Sequence, residues 1–86
     1  MDIKDILAKN VKLYRSRLGY TQKQLADVCS QLTEYTNNDA LADSSYISDI
    51  ENSRRNIALD KVELLSKALN VEPYQLFLTK AIGEKL

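Results

Sequence analysis

Apolar residues recur every three or four positions along much of the chain, which is the spacing of one face of an α-helix. The first such stripe consists of Leu7, Val11, Tyr14 and Leu18. Gly19 follows it, and glycine is the residue that most readily adopts the left-handed conformation at a helix end. The pattern therefore predicts a first helix from near the N-terminus to Leu18.

A second helix is predicted from Gln22 to about Leu32 or Thr33. Thr21 is a favourable N-cap residue, and Gln24 stands three positions later, as in a capping box. The buried side of this helix is predicted to consist of Leu25, Ala26, Val28 and Cys29.

The segment 34–43 is polar and contains Thr, Asn and Asp side chains, which bond to the local backbone and favour turns over helix. We therefore expect a loop here. Either Asp43 or Ser44 is expected to cap a third helix, which would bury Ile47 and Ile50.

The remaining apolar stripes predict a fourth and a fifth helix. Asp60 is expected to cap the fourth, and Asn70 suits its left-handed stop. Its inner stripe consists of Val62, Leu65, Ala68 and Leu69. Pro73 belongs in the first turn of the fifth helix, because proline has no N–H to contribute. The predicted packing groups of that helix are Tyr74, Leu76 and Phe77.

The sequence therefore predicts an all-α fold of five helices in one domain over residues 1–86, because 86 residues suit a single small core and strand-like alternation is absent. The core is expected over about 3–78. The tail 79–86, which contains Ile82 and Leu86 and follows Leu78, would extend the fifth helix or meet a second subunit. It is equally open that the chain is the N-terminal domain of a protein whose oligomerisation part lies elsewhere.

Several classes of function are disfavoured by composition. The chain has no histidine, and Cys29 has no second cysteine, so an internal disulfide and an ordinary zinc site are excluded. We expect Cys29 to be a buried, inert thiol. Neither a catalytic constellation nor a cofactor site is visible, so we expect no enzyme, no metal and no cofactor. No apolar run approaches the ~20 residues that span a bilayer, and no export signal is visible, which makes the cytoplasm the expected location.

The formal net charge is zero, but the charges are unevenly distributed. Residues 1–25 carry six basic and two acidic side chains, whereas residues 26–43 carry four acidic side chains and no basic one. The zero is thus a cancellation between segments, and a local basic surface stays possible.

Three segments, in this order, resemble the lambda-repressor-like (Xre/Cro-type) helix-turn-helix family. Residues 15–26, RSRLGYTQKQLA, are similar to the end of its first helix and the start of its second. Residues 45–55, SYISDIENSRR, resemble its recognition helix and the basic turn that follows. Residues 59–77 are similar to its last two helices. Together these segments cover most of residues 7–78.

The resemblance implies that the third helix, about 44–53, lies in the major groove while the second helix bridges the DNA backbone. The start of the second helix would contact phosphate through Thr21, Gln22 and Lys23. Groove-facing positions of the third helix are Ser44, Ser45, Ser48 and Asp49. Asn52, Arg54 and Arg55 match the phosphate-binding turn.

Two further roles concern packing. The resemblance implies a structural salt bridge between Arg15 and Glu51. Tyr46 is expected to pack beside the long loop, to stack on the sugar-phosphate backbone, or to do both.

The sequence departs from the family pattern at three places. The loop 34–43 is longer than the usual turn, and it would alter the helix angle, contact DNA or contact a protein. Ser53 stands where the family usually has glycine. Asp49 places a carboxylate at a base-reading position, where it would either accept a hydrogen bond from cytosine N4 or repel phosphate.

The function expected from these features is a sequence-specific, repressor-like transcriptional regulator that binds double-stranded DNA as a homodimer. The alternative is a protein-interaction module or an antitoxin with the same fold and weak DNA binding. That alternative rests on the zero net charge, on Asp49 and on the acidic stretch from Asp27 to Asp43.

Overall fold

The computed structural model of the chain describes residues 2–32 and 40–80. Four α-helices lie in these two ranges: α1 (Ile3–Arg17), α2 (Gln22–Leu32), α3 (Ser44–Glu51) and α4 (Leu59–Leu69). Two 3₁₀ segments, Ala40–Ala42 and Pro73–Phe77, complete the order, and no strand occurs among the described residues. The predicted all-α class is confirmed.

The prediction of five helices is wrong, because the described residues form four α-helices and Pro73–Phe77 is a single 3₁₀ turn. Asn10, which is fully buried on α1, explains why this segment stays short. Its Nδ2 donates to the carbonyl of Leu76 at 2.9 Å and to that of Leu78 at 2.8 Å. Leu78 is already extended, so these bonds hold the chain in a non-helical path. A contact across 66 residues therefore ends the segment.

The predicted starts of α2 and α3 are confirmed, and that of α4 is wrong. Thr21 Oγ1 accepts from the Gln24 N–H at 3.0 Å, and Gln24 Oε1 accepts from the Thr21 N–H at 2.8 Å, which is a complete capping box. Asp43 caps α3 by accepting from the Ser45 N–H. Asp60 is not a cap: α4 begins at Leu59, behind Ala58, two residues earlier than a cap at Asp60 would give, and Asp60 lies in its first turn.

Three of the helices end in the same way. Gly19, Ser53 and Asn70 follow α1, α3 and α4 with φ of 75°, 59° and 59°. At each end the next residue donates to a carbonyl five positions back, as Arg54 does to Asp49 at 2.9 Å. A left-handed residue followed by this bond is typical of the Schellman motif, which occupies carbonyls that the helix leaves free. The stops predicted at Gly19 and Asn70 are confirmed.

One core contains the inward faces of all four helices. Leu41 is also fully buried in it, although the sequence pattern assigned that residue to a polar loop. Leu18 is 41% exposed and Tyr74 is 60% exposed, so their predicted packing roles are wrong. Cys29 is buried as expected, and this burial raises the pKa of its thiol to about 12. No helix in the described residues is long and apolar enough to cross a membrane.

We predict that Leu41→Ala destabilises the protein by about 2–5 kcal/mol, because it removes a completely buried side chain. Urea unfolding would measure this loss. Leu59→Ala is the matched control, since Leu59 is 84% exposed and its truncation should change stability by about 0.5 kcal/mol or less. Equal losses for the two variants would contradict the anchoring role of Leu41.

We also predict that Ser53→Gly stabilises the protein by about 0.5–1 kcal/mol. A side chain in the left-handed region costs about 1–2 kcal/mol, of which part is offset by the greater freedom of glycine in the unfolded chain. Thermal unfolding would detect the gain. Ser53→Ala keeps the Cβ atom and should give none, so a gain with alanine would point to the lost hydroxyl instead.

Candidate nucleic-acid interface

A half-buried ion pair joins the first and third helices. Arg15 Nε lies 2.6 Å from Glu51 Oε2, and Arg15 Nη2 donates to Glu51 Oε1 at 3.0 Å. The two side chains are only 14% and 4% exposed. Hydrogen bonding to Glu51 raises the pKa of Arg15 above its ordinary value. The pair that the resemblance implied is therefore present, with bidentate geometry.

The same pair reaches the start of α2. Arg15 Nη1 donates to the carbonyl of Tyr20 at 2.7 Å, just before the helix begins. Gln22 Nε2 donates to Glu51 Oε1 at 3.2 Å. The start of α2 and the end of α3 are thus held side by side by one carboxylate and one guanidinium.

The three candidate residues at the start of α2 differ in exposure and in the bonds that their side chains already make. Thr21 is exposed, and its hydroxyl oxygen accepts the capping bond while its proton stays available to an anion. Gln22 is half-buried against Glu51. Lys23 is exposed, with its ammonium 3.9 Å from Asp27. Free N–H groups and the helix dipole make this end of α2 favourable for a phosphate group.

The outer side of α3 carries short polar groups. Ser45 Oγ donates to Asp43 Oδ1 at 2.8 Å. The hydrogen bonds from the Ser45 N–H and from this hydroxyl lower the pKa of Asp43. Asn52 Nδ2 donates to the Ser48 carbonyl at 2.8 Å and lies 3.3 Å from Ser48 Oγ. Ser44 is half-buried in the first turn. This side of α3 thus offers hydroxyl and amide groups with little bulk.

The basic turn after α3 folds back onto that helix. Arg55 Nε donates to Asp49 Oδ2 at 3.3 Å, and Arg54 Nη1 lies 3.8 Å from Asp49 Oδ1. The Arg55 guanidinium also stacks on Tyr46, with its carbon 4.3 Å from the ring centroid. Lys61 Nζ lies 5.6 Å from the same centroid.

Lys61 is a member of this group that sequence reasoning missed. It lies in the first turn of α4, 15 positions after Tyr46. Helical periodicity could not predict that Lys61 lies near α3, because an irregular segment of the chain separates α3 from α4. Tyr46 packs against Arg55 and Lys61; residues 34–39, which held most of the predicted loop, lie outside the described residues.

The candidate residues therefore fall into two groups. One comprises Thr21, Gln22 and Lys23, joined to the end of α3 through Glu51. The other is joined through Arg55, which bonds to Asp49 and stacks on Tyr46; Arg54 also pairs with Asp49, and Lys61 lies over the same ring. Further polar candidates on α3 and at its end are Ser44, Ser45, Ser48 and Asn52. Groups of three or more His, Cys, Asp or Glu side chains that would hold a metal ion are absent from residues 2–32 and 40–80.

Comparison with known proteins shows the family. Residues 43–76 match the family described as helix-turn-helix. "Control protein C.SmaI" of Serratia marcescens is 37% identical over 70 residues, which cover 81% of this chain and 70% of that protein. The chain belongs to the helix-turn-helix family of DNA-binding transcriptional regulators. The resemblance to that family noted in the sequence is confirmed.

Other members show the same relationship. "Neisseria hypothetical transcription factor" of Neisseria meningitidis serogroup B is 36% identical over 77 residues, covering 90% of this chain. This chain spans 62% of that protein's length. The crystal structure of the hypothetical transcription factor NHTF from Neisseria superposes with a TM-score of 0.74 over 90% of this chain and 76% of that one, at 36% identity.

The helix-turn-helix match begins at Asp43, the residue that caps α3, and ends at Leu76. It therefore includes the basic turn and Lys61, and it starts at the last residue of the segment 34–43, by which this chain departs from the usual spacing. The family match and the names of the relatives point to a DNA-binding regulator.

We predict that Arg15→Ala lowers the free energy of unfolding by about 3 kcal/mol, because it leaves the nearly buried Glu51 carboxylate without its cation. DNA affinity should fall with it, since α3 loses its link to α1 and α2. Denaturant unfolding and a binding titration would measure the two effects. Lys67→Ala breaks an exposed pair with Glu63 and should cost about 0.5 kcal/mol or less. Lost binding with unchanged stability would show that Arg15 touches DNA instead.

Proposed function

We propose that this protein is a sequence-specific, repressor-like regulator that places α3 in the major groove of double-stranded DNA. The observation that carries the proposal is the arrangement of Arg54, Arg55 and Lys61 directly beside the polar outer side of α3. Cations at the border of a groove-sized helix supply phosphate contacts, while short polar groups on the helix meet base edges.

The contacts in this proposal divide between phosphate and base. Phosphate would be bound at two places. Thr21, Gln22 and Lys23 would bind it at the start of α2, and Asn52, Arg54 and Arg55 would bind it after α3. Base edges would meet Ser44, Ser45, Ser48 and Asp49. Tyr46 would lie along the sugar-phosphate backbone beside Arg55. The whole chain, residues 1–86, would act as one DNA-binding unit.

We further propose that the protein binds as a homodimer on a two-fold site. A single short helix reads only a few base pairs, and two half-sites one helical turn apart multiply specificity. The tail 79–86 and the loop 34–43 are the segments proposed to contact a second subunit or another protein; most of both lies outside the described residues. We also propose a cytoplasmic location, because a regulator that binds DNA acts in the compartment that contains the DNA.

The names of the relatives fit a regulator, since one is called a transcription factor and two are called control proteins. One observation favours the alternative of a protein-interaction module or antitoxin: Asp49 engages both arginines of the turn, which reduces the positive charge offered to DNA. Binding to duplex DNA separates the two functions.

We predict that selection from random duplex DNA yields a two-fold site, and that affinity for it falls steeply with salt. Contact with about four to six phosphates per subunit should give a slope of about −0.9 per contact in a plot of log affinity against log salt. Arg54→Gln should weaken binding to all sequences and reduce the magnitude of the slope by about one. Lys67→Gln, a charge change on α4 outside the site, is the control. A flat salt response, or no binding at low salt, would contradict the proposal.

A further inference from the structure

We propose that Asp49 limits the affinity of the protein for DNA of any sequence by occupying Arg54 and Arg55, so that tight binding depends on the contacts of α3 with base edges. The inference rests on the proposed function and assigns a role to a carboxylate that lies where a DNA-binding surface would ordinarily carry no negative charge. Asp49 would act on DNA through two neighbouring cations.

The geometry shows one carboxylate serving two guanidinium groups. Its Oδ2 accepts from Arg55 Nε at 3.3 Å, while its Oδ1 lies 3.8 Å from Arg54 Nη1. The Asp49 side chain is 30% exposed, whereas those of Arg54 and Arg55 are 68% and 48% exposed. Both arginines are therefore accessible to DNA, and each is already paired with a carboxylate.

Further contacts keep Arg55 in place. Its guanidinium lies on the ring of Tyr46, and it also faces Asp43, whose pKa is lowered first by hydrogen bonds from Ser45 and then by the charge of Arg55. A stacked guanidinium loses little freedom when it forms a new hydrogen bond. Arg55 is thus positioned for a phosphate oxygen, provided that the oxygen displaces or tolerates the Asp49 carboxylate.

The charges near α3 are almost balanced. Arg54 and Arg55 pair with Asp49, and Arg55 also interacts with Asp43. Lys61 lies over the Tyr46 ring, and Glu51 is paired with Arg15. Sequence-independent DNA binding depends on cations that replace the counterions of phosphate. A carboxylate among these cations lowers that term for every sequence, but it leaves hydrogen bonds to base edges unchanged. Tight binding therefore depends more strongly on the contacts with base edges.

The ion pairs can exchange when the correct site is bound. The arginines of both pairs are exposed and Asp49 is 30% exposed, and such solvent-accessible pairs contribute little to stability. The base contacts made by α3 at its own site supply the free energy that moves the arginines from Asp49 to phosphate. A random sequence lacks those contacts, so there the arginines stay with Asp49.

The test is Asp49→Asn, which keeps the shape of the side chain and removes its charge. We expect the affinity for a random-sequence duplex to rise by about three- to tenfold at low salt, with a slope steeper by about one. Affinity for the selected site should rise by at least as much, because the arginines no longer have to leave a carboxylate in order to reach phosphate there. Fluorescence anisotropy over a series of salt concentrations measures all these values, and a thermal melt verifies that the variant is folded.

The matched control is Glu63→Gln, which changes the net charge by the same amount. Glu63 pairs with Lys67 and lies two positions after Lys61 on α4, so it points to a different side of the helix. It should alter both affinities slightly and equally. If Asp49→Asn behaves like this control, the proposal is overturned. It is also overturned if Asp49→Asn weakens only the selected site, because Asp49 would then read a base directly.

A second variant tests the coupling between the residues. In a protein that carries Arg54→Gln and Arg55→Gln, the Asp49→Asn substitution should change the affinity for random duplex much less than it does in the native chain. An undiminished effect would contradict a role through the arginines.

If the native protein binds no duplex, the proposed function fails by itself. Binding of random duplex gained by Asp49→Asn would then still support a restraining carboxylate, and the absence of such a gain would refute it as well.

Discussion

The ion pair between Arg15 and Glu51 is the interaction on which the arrangement of the proposed DNA-binding surface depends. Arg15 bonds to the chain just before α2, and Glu51 bonds to Gln22 in the first turn of that helix. Two charged side chains therefore connect α1, α2 and α3. Such a pair adds little to the net free energy of folding, because desolvation offsets much of its Coulomb attraction. Its main effect is on how the helices are positioned. Its bonds to Tyr20 and Gln22 hold the start of α2 beside the end of α3.

Around this link, polar and apolar constraints act on the same short helix. Ile47 and Ile50 bury one side of α3 completely, while Asp43 caps its start and Ser53 turns the chain at its end. A helix of 8 residues has little stability by itself, so packing and caps decide where it lies. The same left-handed turn brings Arg54 and Arg55 back beside Asp49, which gives the surface both its cations and its restraint.

Sequence reasoning succeeded where the cause is local and failed where it is distant. The capping box of Thr21 and Gln24, the stop at Gly19 and the inner stripes of the helices depend on residues within a few positions of one another. The 3₁₀ form of Pro73–Phe77 depends instead on Asn10, and the burial of Leu41 depends on how α2 and α3 close over it. No pattern within a few residues contains that information.

By itself, the sequence determined the all-α class, the bounds of most helices, the family resemblance and the residues expected to meet DNA. Periodicity and capping chemistry suffice for these features, since they act within one or two helical turns. The tertiary structure alone decided that Lys61 joins Tyr46 and Arg55, and that one aspartate on α3 holds both arginines of the turn. Charges attract according to distance in space, and the folded path of the chain sets that distance.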